Sequence, residues 1–514
     1  MPLRLLVSQL SISVIYLEMF NVSHQIFLWL FVCLWLPISS FASPFLTPED
    51  PFLRHELRWL RDNRLLDAPL NTWPISWGGI DARLKEDGQD PVFNRVQDRL
   101  DKERQAGWGP AIGRIGFRGD RGVARSFMSE PRGGISAGVE RSWMGDRFAG
   151  KLRLTNVREV EPDWRGRVND GFQFDGSYFA TRLGNWSAGF GQVERSWGPG
   201  WDGSLILSTN ARPVPAFSID RLIPEPFETK WLSWIGSWNA TMFVGQMEEE
   251  RLVPEPYLWG MRVEFSPTIL DGLEIGLSRA IQLGGQGRPR HFDIFMEAFI
   301  SHDNVGANTG EDPANEPGNQ LAGIDFRWRL PGDLPLALYG QVVGEDEDDF
   351  LPNALMFQYG VETWGNWESS SWRMFLEYID TSSTWWTDET RFRNISYNHH
   401  IYGDGYRHHG RSVGHWADSD SEIVSLGGLL ANSDGNGWGG TVRSGKLNRD
   451  GGGNSAVSNS VATDIKSVQL FHKRSFSKWD AQMTGGLGWE ELENSSTRIT
   501  DSGPTGFLSI TRIF

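Results

Sequence analysis

The sequence predicts an all-β protein: a transmembrane antiparallel β-barrel of about 18 strands, with a small N-terminal helical segment on the periplasmic side. Three observations carry this. From about residue 110 to the end, the hydrophobic pattern has period 2. No apolar run reaches 18 residues, so helices cannot cross a bilayer here. Finally, 25 tryptophans and 59 glycines in 514 residues suit a barrel, which seats indole at its membrane interfaces and small residues in tight turns and a crowded lumen.

The elements follow in chain order. Residues 1–42 read as a secretory signal peptide. The run Ile26 to Leu36 is too short to span a membrane and is followed by Pro37 and by Ser40-Phe41-Ala42, a small-x-small cleavage pattern. Only Arg4 supplies basic charge upstream, and Met19 is an alternative start. The single cysteine, Cys33, lies inside that run, so the exported chain needs no disulfide.

Residues 43–107 form the helical segment. Thr47-Pro48-Glu49-Asp50 is a helix start, with Leu53, Leu57 and Leu60 following on one face. Asp90-Pro91 starts another, with Val92, Phe93, Val96 and Leu100 on one stripe to about Gln105, and a shorter helical piece over 76–84 lies between.

Residues 108–514 form the barrel. Ile324, Phe326, Trp328 and Leu330 alternate with Asp325, Arg327 and Arg329; Leu273, Ile275, Leu277 and Ile281 alternate with Glu274, Ser278 and Gln282. Phe148, Leu152 and Leu154, then Phe292, Ile294, Met296 and Ile300, then Trp372, Met374, Leu376 and Tyr378 repeat the pattern. A soluble sandwich also alternates, yet it has no use for so many tryptophans. At about 22 residues per strand and connection, the 405 residues from Pro110 supply about 18 strands, an even number as such barrels require. The chain ends in a strand with a terminal aromatic, Phe507 to Phe514.

Long connections, expected outside the cell, are 194–230, 301–320, 344–353, 380–421 and the glycine-rich 431–463. The acidic run Glu345 to Asp349 reads as a solvated loop, since no calcium-loop spacing surrounds it. Gly134-Ile-Ser136-Ala-Gly138 and Gly435-Asn-Gly437-Trp-Gly-Gly440 match enzyme motifs only by chance, because no helix follows either. An excess of 65 acidic over 49 basic residues argues against nucleic acid as a partner. Eight of the 49 basic residues are lysine, so the cations are chiefly planar, multi-donor guanidiniums. No catalytic residues, metal site or cofactor are expected. The segment Tyr397 to Asp420 holds five of the ten histidines, without zinc-site spacing. Its Tyr, Trp, Arg, His and Asp side chains suit a sugar-binding surface and equally suit a packed plug in the lumen.

Two segments resemble the Wzi family of outer-membrane capsule-assembly proteins: Gly191-Gln-Val-Glu-Arg-Ser-Trp197-Gly-Pro-Gly-Trp201-Asp-Gly-Ser-Leu-Ile-Leu-Ser208-Thr-Asn210-Ala-Arg212-Pro213, and Tyr397 through Asp420. The resemblance runs from about Pro44 to Phe514. It implies a barrel of 18 strands, a lumen obstructed by inward-folded loops, and a non-enzymatic, lectin-like role in holding exported polysaccharide at the cell surface. Its expected partners are capsular or extracellular polysaccharide, outer-membrane lipid and polysaccharide export machinery. The expected ligand contacts are Trp197, Trp201, Arg212, Tyr402, Tyr406, Arg407, Arg411, His415 and Trp416, with Asp404 and Asp418 orienting them. A porin or glycan-permeable channel is the alternative.

Overall fold

The computed structural model describes residues 45–85, 87–88, 90–103, 106–288, 318–348, 351–383, 393–458 and 461–514. The expected signal peptide, the strand pattern Phe292 to Ile300 and most of the 301–320 connection lie outside the described residues.

Three helices come first. Helix α1 (Pro51–Asp62) starts later than Thr47-Pro48 suggested. Asp50 caps it, its carboxylate accepting from Phe52 N at 3.1 Å and Leu53 N at 3.4 Å, while Glu49 N turns back to Thr47 O. A cap needs an extended residue whose oxygen reaches two amides ahead, and Asp50-Pro51 supplies that with proline at the first helical position. Helix α2 (Trp77–Arg83) is capped by Ser76, and α3 (Pro91–Glu103) by Asp90, which accepts from Val92 N at 2.7 Å. Leu53, Leu57, Leu60, Ile80, Val96 and Leu100 form one buried cluster that also takes in Ala337 and Trp364 of the barrel wall.

Eighteen antiparallel strands close the barrel: β1 (Gly107–Arg118), β2 (Ile135–Met144), β3 (Phe148–Arg158), β4 (Gly171–Gln173, resuming as Tyr178–Leu183), β5 (Trp186–Gly191), β6 (Ala216–Arg221), β7 (Ser237–Gln246), β8 (Tyr257–Ser266), β9 (Leu273–Leu283), β10 (Gly318–Arg329), β11 (Leu336–Asp348), β12 (Leu351–Trp367), β13 (Ser370–Asp380), β14 (Glu422–Ala431), β15 (Gly437–Leu447), β16 (Thr463–Phe476), β17 (Ala481–Asn494) and β18 (Thr500–Ile513). Both pieces of β4 pair with β3, and β18 returns to β1 with Ile510 opposite Ile115.

The wall is apolar outside and polar inside. On β10, Ile324 and Phe326 are 51% and 42% exposed, while Asp325 and Arg327 between them are 1% exposed. On β13, Met374 and Leu376 point out and Arg373 and Glu377 are buried within. Lipid on one side and a filled lumen on the other produce this inverted alternation. Trp108, Trp186, Trp231, Trp234, Trp367, Trp438 and Trp479 are exposed at the end where the connections are short, and Trp489 is the exposed tryptophan set apart from them among the described residues. This is the aromatic girdle of one membrane interface.

Strand positions correct three of the expected loops. The 194–230 stretch is a loop over 192–215, then β6, then the start of a connection at the opposite end. The glycine-rich 431–463 stretch is a short-end turn at 432–436, then β15, then a loop whose described residues are 448–458 and 461–462. In both, a strand rich in small or polar residues hides between turn-like residues, because its inward face meets a packed lumen. The described part of the acidic 344–353 stretch belongs to strands β11 and β12, where Asp348 opposes Leu351, and Glu345 is buried, accepting from Tyr397 N at 2.6 Å. The two enzyme-like glycine motifs run into β2 and β15, as the absence of a following helix required.

Candidate functional site

The lumen is filled from both ends. At the short-turn end, α1 lies against the wall through a charge network: Arg58 and Arg61 bind Glu274 at 2.6 and 2.7 Å, and Asp62 receives Arg327 at 2.8 Å and Arg373 at 2.7 Å. Glu362 binds the same two arginines. Between this plug and the wall a polar cleft of about 370 Å³ opens, lined by Arg61, Arg64, Asp271, Arg329 and Lys85. From the loop end, 192–215 and 393–421 fold inward. A short ladder pairs Thr72–Trp73 with Ser196–Trp197, tying plug to loop, and Gly198 N donates to Asn71 O.

The two segments singled out in the sequence, some 200 residues apart, pack directly on each other. Ser208 N donates to Val413 O at 2.9 Å and Asn210 Nδ2 to Ser412 O at 2.8 Å. The hydroxyl of Tyr397 donates to Leu205 O, that of Tyr406 to Ile206 O, and Trp416 Nε1 to Asp202, which Arg443 grips at 2.6 Å.

The expected contact residues sit mostly inside this assembly. Trp197 is fully buried, edge-on to Phe243. Trp201 lies against Phe375, with Arg54 over its indole at 4.3 Å and its Nε1 donating to Glu362 at 2.7 Å. Tyr402 is buried and donates to Gly284 O; Tyr406 stacks on Tyr397. Arg407 is 1% exposed and donates to Asp418, Asn398 Oδ1 and three carbonyls, those of Tyr397, Asp404 and Asn454. Asp418 also accepts from Ala456 N, and Asp404 from Leu252 N. His415 is packed on Gly203, and burial lowers its pKa to about 4. Trp416 is fully buried. Arg212 and Arg411 are nearer the surface: Arg212 forks onto Asp175 at 2.8 and 3.0 Å, and Arg411 donates to Asn210 Oδ1 and Val123 O.

The structure adds groups that sequence reasoning missed. Arg165 lies 4.2 Å over the indole of Trp164 in the 159–170 loop and pairs with Asp404 at 3.0 Å, so a half-exposed aromatic and an exposed guanidinium cap the 397–420 segment. His408 pairs with Glu248, holding that carboxyl well below its ordinary range against the opposing effect of burial. The available signal was the run Asp163-Trp164-Arg165, whose Trp-Arg step matches the chemistry sought at 397–420. Among the described residues no group of three or more His, Cys, Asp or Glu is placed to hold a metal.

A family model described as "Capsule assembly protein Wzi" matches residues 113–503. An "Uncharacterized 55.8 kDa protein in cps region" of Klebsiella pneumoniae is 34% identical over 352 residues, which span 65% of this chain and 65% of that protein. The chain thus matches just under two thirds of that relative's length. Among solved structures, that of Wzi from Escherichia coli, an outer membrane protein involved in group 1 capsule assembly and a carbohydrate binding beta-barrel, has a TM-score of 0.77 and 28% identity, covering 92% of this chain and 100% of that one.

Proposed function

Because the chain belongs to the Wzi capsule-assembly family of outer-membrane β-barrels, we propose that it holds an exported polysaccharide at the cell surface, as a binding protein without catalytic chemistry. What supports this reading is the filled lumen: α1 and two inward loops occupy the interior and hold each other, leaving the loop end as a rigid surface. The half-exposed Trp164 and the exposed Arg165, together with the half-buried Arg212 and Arg411, offer the aromatic face and the planar donors that pyranose rings and their substituents require. Trp197, Trp201, Tyr402, Asp404, Tyr406, Arg407, His415, Trp416 and Asp418 serve that surface by fixing the loops that carry it. Residues 1–42 act as the export signal and 43–107 as the periplasmic plug of the barrel formed by 108–514. Polysaccharide export components and outer-membrane lipid are the expected neighbours.

The test is retention. Cells lacking the protein should shed surface polysaccharide into the medium, and the intact gene should restore attachment. Purified protein in planar bilayers should pass little current; a steady open-pore conductance would reject the holding role in favour of a channel.

A further inference from the structure

Four arginines meet where the 119–134 loop packs against segments 192–215 and 393–421. Arg118 donates to Gly122 O and pairs with Glu130. Arg132 donates to Glu194 at 2.8 Å, to Asn210 O and to Ala211 O at 3.0 Å. Arg411 donates to Asn210 Oδ1 at 2.9 Å and to Val123 O at 2.6 Å. Among the described residues Arg125 donates only to Arg132 O, at 3.3 Å, and its buried Nε has no partner. Shared partners hold the four together: Asn210 joins Arg132 to Arg411, the adjacent carbonyls of Gly122 and Val123 join Arg118 to Arg411, and Arg125 rests on Arg132.

Their charges are not balanced alike. Arg118 and Arg132 each have a carboxylate, whereas among the described residues neither Arg125 nor Arg411 has one within ion-pair distance. Burial and then the facing Arg118 and Arg132 push the Arg411 guanidinium down to about 9; burial and then Arg411, Arg118 and Arg132 push Arg125 well down. Three buried arginines without an ion-paired carboxylate among the described residues, Arg54, Arg195 and Arg221, each lie over aromatic rings. Arg125 and Arg411 lie over no ring among the described residues. Arg125 and Arg411 are half-buried, and cations that face each other partly out of water are costly unless an anion completes the site. The anion that a guanidinium fork matches best is one with paired oxygens.

We propose that Arg125 and Arg411, framed by Arg118 and Arg132, form a subsite for the carboxylate of an acidic sugar, so that the polymer held at this surface is one bearing uronate-type units. This rests on the polysaccharide-holding role and names its substrate class. It also accommodates the net charge of −16, which repels an acidic chain in general and leaves local arginine patches to capture it.

Purified full-length protein in detergent is titrated with a decameric oligogalacturonate, with the same oligomer after its carboxyls are reduced to alcohols, and with inorganic phosphate. The acidic oligomer should bind, more weakly as salt rises, and the reduced one at least tenfold more weakly. Arg125→Gln and Arg411→Gln should each weaken the acidic oligomer about tenfold or more. Arg125→Met should do so while raising the melting temperature, since it removes an unbalanced, half-buried cation; a purely structural arginine would lower it. Heat-modifiable gel mobility verifies that each variant is folded. Equal binding of acidic and reduced oligomers, or undiminished acidic binding by the Gln variants, overturns the subsite, as does competition by phosphate alone with no binding of the sugar acid. Surface retention in cells is read separately: its loss on deletion keeps the holding role whatever the subsite does, and unchanged retention removes that role.

Discussion

Replacing Asp62 by asparagine should loosen the plug. Asp62 ends α1 and takes one hydrogen-bonded ion pair from each of two wall arginines, Arg327 on β10 at 2.8 Å and Arg373 on β13 at 2.7 Å. All three side chains are at most 1% exposed. With the charge gone, both guanidiniums fall on Glu362, helped for Arg327 by Glu274 at 3.9 Å. Breaking a buried pair costs about 3–5 kcal/mol, and this partial compensation points to about 3 kcal/mol. At about 1.4 kcal/mol per tenfold, the undocked plug should become roughly 10²-fold more populated. Limited proteolysis reads that population when reclosing is fast relative to cleavage, so the rate of cutting within α1 should rise by about the same factor. Bilayer recordings should show brief openings that the parent lacks. Cleavage within threefold of the parent, with no new openings, would refute the claim that this network holds the plug in the barrel.

Other outcomes follow from the same contacts. Trp201→Ala removes the ring lying against Phe375 and the donor to Glu362, and should cost about 3–5 kcal/mol in denaturant unfolding; Trp201→Phe should cost less. Gly203→Ala places a methyl 2.4 Å from His415 Cδ2, which should destabilise by about 1–3 kcal/mol, and pairing it with His415→Ala should recover part of the loss. His415 is held neutral, its pKa lowered by burial from 6.5 to about 4, so the stability it contributes is complete above pH 6.5 and is lost as pH falls toward 4; denaturation midpoints of His415→Gln should lack that slope.

The barrel wall was legible because each wall residue answers to a local rule. Ile324 and Phe326 meet lipid and Asp325 and Arg327 meet the lumen whatever the rest of the chain does, and strict alternation is visible within a few residues. Helix α3 was legible through the same kind of local signal, its Asp90-Pro91 start. Where the alternation carries glycine and serine on both faces, as in β15, a strand reads as a loop. The acidic run misled for a related reason: Glu345 is charged, yet an inward strand position makes it a buried acceptor for Tyr397 N.

The candidate site divides along the same line. The segments 191–213 and 397–420 were conspicuous for residue type, and their sequence marks them as the place where tyrosine, tryptophan and arginine collect. Whether Trp197 faces a sugar or a neighbouring phenylalanine is settled by contacts between segments about 200 residues apart, such as Tyr406 with Ile206 and Trp416 with Asp202. Arg125 shows the reverse. In sequence it is one arginine among 41, and only the meeting of three loops leaves it without a carboxylate among the described residues. The chain by itself thus determines which face of each strand meets hydrocarbon, since that preference belongs to single side chains and repeats every second residue. Which polar groups end as fasteners and which remain as open charges was decided by the closed barrel, because charge balance in a filled lumen is a property of neighbours brought together from across the whole molecule.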